Sequence, residues 1–229
     1  MRIAVLGTGP VGRALAGRLA ELGHEVVVGT RDPAATRERT DDDGVATYAA
    51  WEADHPDVGL DTFADAAQQA ELVVNAAGGA VSIEILEQAG ADNLAGKVLL
   101  DVSNPLDHSH GFPPQLFVKD DDSLAETIQR AHRAARVVKA LNTMNNQVMI
   151  HPESLGESTS VFVSGDDAEA KTTVTDLLGQ LGHTDVINLG NLSAAHGAEM
   201  WLALWIRLAM ALGGPDFNIK VVRGPALGG

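Results

Sequence analysis

The stretch Ile3-Ala4-Val5-Leu6-Gly7-Thr8-Gly9-Pro10-Val11-Gly12 decides the fold. Four apolar residues of strand length run into three glycines spaced Gly-x-Gly-x-x-Gly, and Val11–Leu22 then places Leu15, Leu19 and Leu22 on one helical face before Gly23 ends it. Each glycine has its own task in such a turn. Gly7 permits the tight bend, Gly9 lets the main chain approach a pyrophosphate, and Gly12 lets the helix pack close against the strand. The helix N-terminus then points unpaired N–H groups at the anion, so Gly7, Thr8, Gly9, Pro10, Val11 and Gly12 read as a dinucleotide phosphate site.

Outward from that turn, apolar runs alternate with segments of helical period. Strands are expected at Ile3–Leu6, Glu25–Val28, Val58–Leu60, Leu72–Val74, Val98–Asp101, Val137–Ala140, Val161–Val163 and Val186–Leu189. Helices are expected at Val11–Leu22, Ala64–Ala70, Val81–Ala89, Leu124–Ala134 and Ala168–Leu181. Ser123 with Glu126 has the pattern of a capping box, and Asp166 or Asp167 caps the next helix. The continuous Val, Leu and Ile content of the strands suits a sheet covered on both faces. The prediction is therefore an α/β, Rossmann-type doubly wound, mostly parallel sheet over residues 1–190. Residues 191–229 form a small C-terminal appendage, a cap or dimer contact made of a helix, Ser193–Leu212, and a short strand, Phe217–Val222. Thr40–Gly44 and Asp120–Asp122 read as solvated acidic turns.

Composition narrows the class. With 45% hydrophobic residues in 229, the chain can bury a large core. It has no cysteine, so disulfides, thiolate nucleophiles and zinc-thiolate sites are excluded and a reducing, cytoplasmic location is expected. The start shows no signal-peptide pattern, and Met200–Leu212 is interrupted by Arg207 and shorter than the roughly 20 residues of a membrane span. A net charge of −15 argues against nucleic acid or a membrane surface as partner. An anionic ligand must then find local positive charge, which singles out Arg13, Arg31, Arg207, Lys220 and Arg223.

Cofactor choice is read at the end of the second strand, Val28-Gly29-Thr30-Arg31. A hydroxyl followed by a guanidinium suits the 2′-phosphate of NADP, because arginine offers phosphate a charge-assisted fork. The alternative leaves Arg31 in solvent and gives the ribose 2′-hydroxyl of NAD to Asp32.

Three more segments fall at carboxyl ends of strands, the edge where open α/β sheets bind ligands. They are Asn75–Ala80, Ser103–Pro105 and Asn142–Asn146. In the first, Ala76, Ala77 and Gly78 leave room for a cofactor beside the main chain; the second contributes Asn104. The third offers amides, a hydroxyl and Met144 with no strong acid or base. Such an inventory suits hydride transfer between two cofactors, where the protein's task is to hold the reacting atoms together. No catalytic acid or base is assigned. His108 and His110 beside Asp107 read as surface, no metal is expected, and Trp201 and Trp205 read as core or dimer contacts, with stacking on a ring system as the alternative.

Met1–Gly12, Val28–Arg31 and the ending Phe217-Asn218-Ile219-Lys220-Val221-Val222-Arg223 together resemble the NADPH-dependent reductases of the deazaflavin coenzyme F420, the F420H2:NADP oxidoreductases. The resemblance implies reversible hydride transfer between NADP(H) and coenzyme F420 as second substrate, in a homodimer. It also implies that Thr8, Pro10 and Val11 touch the pyrophosphate and Thr30 and Arg31 the 2′-phosphate. Ala77 and Gly78 would border the nicotinamide half, with Asn142 and Met144 at the ring junction. A short-chain dehydrogenase is excluded: the only tyrosine, Tyr48, is followed four residues later by Glu52 rather than lysine. Hydroxyacid dehydrogenases and pyrroline carboxylate reductases append a long helical domain for which the residues after the last strand are too few. Two readings stay beside the resemblance: an NADPH-dependent reductase of another acceptor (quinone, flavin or imine), and a non-catalytic NADP-binding sensor.

Overall fold

A computed structural model of the chain describes residues 1–40 and 47–224. Strands are β1 (Arg2–Leu6), β2 (Glu25–Thr30), β3 (Gly59–Thr62), β4 (Leu72–Asn75), β5 (Val98–Asp101), β6 (Leu106–Asp107), β7 (Gln115–Leu116), β8 (Arg136–Ala140), β9 (Ser160–Gly165) and β10 (Asp185–Gly190). Helices are α1 (Pro10–Glu21), α2 (Pro33–Glu38), α3 (Tyr48–Asp54), α4 (Phe63–Gln69), α5 (Ser82–Ala89), α6 (Ala91–Leu94), α7 (Leu124–Ala131), α8 (Asn146–Ile150), α9 (Ala168–Gln180) and α10 (Ala195–Leu212). Eight strands make one sheet in the order β10-β9-β8-β5-β4-β1-β2-β3, and β6 and β7 make a separate hairpin. Among the described residues, only the β8–β9 pairing in the large sheet is antiparallel.

The strands alternate faces as a sheet covered on both sides requires. Ile3 and Val5 of β1 enter one core with Leu15 and Leu19 of α1, while Ala4 and Leu6 enter the other with Phe63 and Ala66 of α4. From β1 the chain winds outward to β2 and β3, then returns to β4 on the other side of β1. The strand order thus reverses between β1 and β4, the switch point where such sheets bind ligands.

All eight expected sheet strands form, and the caps explain where helices begin. Ser123 accepts the Glu126 amide at 3.1 Å, and Asp167 caps α9 through the Ala170 amide at 2.7 Å. Asp166, the other cap candidate, instead accepts the Leu192 amide at 2.9 Å. The short helices α2, α3 and α8, which the apolar periodicity does not predict, are nucleated by side-chain caps at Asp32, Thr47 and Asn145. The acidic turn expected at Asp120–Asp122 is at the surface, where Asp122 accepts from Arg130 at 2.7 Å in an exposed pair. The acidic turn expected at Thr40–Gly44 lies, beyond residue 40, outside the described residues.

One expectation is corrected. Phe217–Val222 has no regular secondary structure and forms no strand. The Ser160 amide donates to the Ile219 carbonyl at 2.9 Å, but the Val221 amide is taken by the Ser160 hydroxyl, also at 2.9 Å. A side chain satisfies the group a ladder would have used, so pairing does not propagate. The expected helix after the sheet is present: a 3₁₀ turn at Leu192–Ala194 leads into α10. Among the described residues no helix is long and apolar enough to cross a membrane.

Two histidines make the fold acid-sensitive. Among the described residues neither ring nitrogen of His132 has a partner, and His183 uses only Nε2, at 3.0 Å from the Met149 carbonyl. Burial pushes both imidazoles below their usual value of 6.5. The native state therefore refuses protons that the unfolded chain accepts, and stability present above 6.5 is lost as pH falls below it. Thermal melting followed by circular dichroism should show a lower midpoint at about pH 5.5 than at about pH 7.5, with a smaller drop in His132→Leu.

Candidate dinucleotide site

The glycine turn sits at the switch point by register. Leu6 pairs with Gly29 on one side and Asn75 on the other, and the Gly7 amide donates to the Gly29 carbonyl at 3.1 Å. Gly7 has φ +130°, and a Cβ there would lie 2.8 Å from the Ala76 carbonyl oxygen. At Gly12 a Cβ would lie 2.0 Å from the Gly7 carbonyl oxygen. These two glycines serve packing. Gly9 differs: among the described residues, nothing beyond its chain neighbours lies within 4 Å of where its Cβ would be. It is the N-cap of α1, Pro10 opens the helix, and the first turn carries no acidic residue. Open space in front of bare N–H groups at a helix N-terminus fits a pyrophosphate.

Beside the turn lies a cavity of about 530 Å³. The structure brings Val11, Ala76, Ala77, Gly78, Asn104 and Met144 together in its wall, from four separate segments of the chain. Gly78, like Gly9, has open space at its Cβ position, whereas a Cβ on Gly79 would meet the Asn104 carbonyl oxygen at 2.0 Å. Ser103, Asn145 and Asn146 add polar groups to the same wall. His108, expected only as surface, also lines it and is the one ionisable side chain among the lining residues.

The end of β2 forms the other flank. Thr30 is buried and shares a hydrogen bond of 2.8 Å with Thr36 of α2. Arg31 is exposed and pairs with Glu84 at 2.8 Å, an arrangement worth about 0–1 kcal/mol and readily exchanged for a phosphate. Asp32 caps α2, its Oδ1 accepting the Ala35 amide at 3.0 Å. Arg39, missed in the sequence, donates to the Thr8 hydroxyl at 2.8 Å and so brings a guanidinium to the glycine turn. Lys220 and Arg223 are occupied elsewhere, by Glu157 and Asp185.

Asn142 is placed otherwise than the ring-junction reading implies. It is buried, its Nδ2 donates to Asn104 Oδ1 at 2.9 Å and to the Ala198 carbonyl at 3.1 Å, and it is not among the cavity-lining residues. Trp201 ties α10 to the same loop through the Thr143 carbonyl at 3.2 Å, and Trp205 stacks on Phe217 at 5.4 Å. Behind the wall is a cluster that no sequence motif announces. Buried Lys139 of β8 contacts Asp101 of β5 at 2.8 Å and Glu199 of α10 at 2.9 Å. Burial alone would push the ammonium down, but Asp101 and Glu199 outweigh it and hold the group above its ordinary range, so it is charged.

A doubly wound sheet with an anion-binding glycine turn and an adjoining cavity at its switch point defines a dinucleotide-dependent oxidoreductase. Comparison with known proteins narrows the class. The family model for coenzyme F420-dependent NADP oxidoreductases matches residues 2–105. The F420-dependent NADP reductase of Methanocaldococcus jannaschii is 30% identical over 96% of this chain and 98% of its own. The chain belongs to the F420-dependent NADP reductase family. A solved structure from Arthrobacter sp. FB24, named for the same activity, is 56% identical with a TM-score of 0.94, covering 97% of this chain and 100% of that one. The rat metalloreductase STEAP3 is 30% identical over 86% of this chain, which spans 36% of that protein's length.

The two kinds of glycine give a clean test. Gly12→Ala should lower stability by about 1–3 kcal/mol in urea unfolding, because backbone must move. Gly9→Ala should unfold like the parent protein yet bind NADPH at least about tenfold more weakly by fluorescence titration.

Proposed function

We propose that this chain transfers a hydride reversibly between NADP(H) and coenzyme F420. The observation that carries the reading is the cavity itself: it adjoins the glycine turn, and among its lining residues His108 alone is ionisable. The bound cofactors supply the hydride donor and acceptor; the chain's residues bind, orient and exclude water. Thr8, Pro10 and Val11 border the pyrophosphate, with Arg39 beside Thr8. Ala76, Ala77 and Gly78 border the nicotinamide half, with Asn104 and Met144 on the wall facing it. Asn142 acts through Asn104, to which it is hydrogen-bonded.

Preference for NADP rests on Arg31 with Thr30, supported by Asp32 being engaged as a helix cap. Steady-state kinetics test both points. The protein should oxidise NADPH with loss of deazaflavin absorbance, and Arg31→Ala should raise the KM for NADPH about tenfold while leaving that for NADH unchanged. An equal change for the two nucleotides defeats the assignment of Arg31, and NADPH binding without deazaflavin reduction defeats the proposed acceptor.

In this reading the protein is a cytoplasmic homodimer, and residues from about 191 onward serve as cap and dimer contact. The support is α10, where Met200 and Leu204 are exposed on one face and Met200 also lines a concavity shared with Pro114 and Leu116 beside the β6–β7 hairpin. Sedimentation should give twice the 23.9 kDa chain mass for the parent protein and the single chain mass for Leu204→Glu. A parent protein that sediments as one chain overturns this part of the reading.

A further inference from the structure

The wall of the cavity formed by Ser103 and Asn104 has no regular secondary structure of its own, yet nearly every polar atom behind it is engaged. The Ser103 amide and hydroxyl both donate to Asp101 Oδ1, at 3.1 and 2.7 Å, and Asn75 Nδ2 donates to the same oxygen at 2.8 Å. The Ser103 carbonyl accepts from Lys139 Nζ at 2.5 Å. Lys139 in turn is held by Asp101 and by Glu199, 60 residues along the chain from it. Glu199 does not stop there: Oε2 and Oε1 accept the Leu124 and Ala125 amides at 2.8 and 3.1 Å, the first turn of α7.

A second tie reaches the same wall from the neighbouring residue of α10. The Ala198 carbonyl accepts from Asn142, whose side-chain Nδ2 and main-chain oxygen are both bonded to the Asn104 side chain at 2.9 Å. Leu141, immediately before, is buried with φ +63°, a conformation unfavourable for leucine that turns the end of β8 toward Asn104. Two consecutive residues of α10 therefore fix two consecutive residues of the wall, one through a buried charge and one through an amide.

A burial this deep has no need of charge for stability alone, since apolar replacements of buried ion pairs are often as stable. What the ionised cluster supplies is direction: an ammonium with three fixed acceptors sets the Ser103 carbonyl in one place. We propose that Glu199 is a positioning residue for hydride transfer, acting through Lys139 to hold the Ser103–Asn104 wall against the bound nicotinamide. The inference rests on the reading of the cavity as the NADP(H) and F420 site, where NADPH, F420 and a proton give NADP⁺ and reduced F420. Glu199 is buried and is not among the cavity-lining residues, and its contacts are with Lys139 and the Leu124 and Ala125 amides, away from the glycine turn.

The experiment uses Glu199→Gln, which keeps the shape, removes the charge and turns an amide donor toward either Lys139 or the α7 amides. Kinetics with NADPH and F420 should show kcat lower by about tenfold or more, with the KM for NADPH within about threefold of the parent, since a displacement of order 1 Å can cost up to about 100-fold in rate. The isotope effect from NADPH deuterated at C4 should rise as hydride transfer becomes limiting. A second readout needs no acceptor: bound NADPH should keep its affinity in fluorescence titration but show a lower nicotinamide anisotropy. Glu199→Asp retains the charge, and its kcat should fall between the two; it also serves if Glu199→Gln does not fold. A folded variant with parental kcat and parental anisotropy, whatever its melting temperature, overturns the proposal. If the parent protein reduces no F420, the proposed activity fails instead, and the anisotropy alone decides the role of Glu199.

Discussion

Lys139 carries a full positive charge into a place from which water is excluded, and much of the site follows from satisfying it. An isolated ammonium there would cost several kcal/mol, so it must be met on every side by acceptors. Those acceptors come from β5, the loop after β5 and α10. Their convergence fixes how β8 lies beside β5, where the Ser103 loop leaves the sheet and which turn of α10 packs against α7. Glu199 completes the arrangement by taking two N–H groups at the start of α7, so a helix end that needed acceptors and a lysine that needed a counter-charge share one carboxylate.

The two sides of the cavity are thus built by different physics. On the glycine-turn side the determinant is steric: Gly7 and Gly12 let backbone approach backbone, and the bare N-terminus of α1 supplies positive potential in a chain of net charge −15. On the Ser103–Asn104 side the determinant is electrostatic and distributed over residues that never face the cavity. The first side offers an anion groups that every peptide possesses. The second demands particular side chains at particular places, and that is where a reaction governed by distance between reacting atoms is exposed to substitution.

The glycine turn and the strands were legible in the chain because both are local. The antiparallel step at β8–β9 left no such trace: Val161–Val163 reads the same in either direction, and pairing decides its sense. Phe217–Val222 had the composition of a strand and failed to become one because the Ser160 hydroxyl took a ladder amide. Asn142 drew notice by its place after β8, but its contacts could not be read there, since its partners Asn104 and Ala198 lie 38 and 56 residues away. Lys139 lies inside the predicted strand Val137–Ala140 and Glu199 inside the predicted helix Ser193–Leu212, and no local pattern marks either as a partner of the other.

The sequence by itself determined the α/β class, the positions of the eight strands, the glycine turn between the first strand and its helix, and the placing of Thr30 and Arg31 at the second strand's end. Each is written in spacing or apolar period within one short segment, where the backbone's own geometry does the selecting. Tertiary structure alone decided that His108 borders the cavity, that Arg39 reaches Thr8, and that Asp101, Lys139 and Glu199 meet. Those contacts depend on the order of strands in the sheet and the register between them. A charge far along the chain acquires meaning only when folding removes the water between it and its partner.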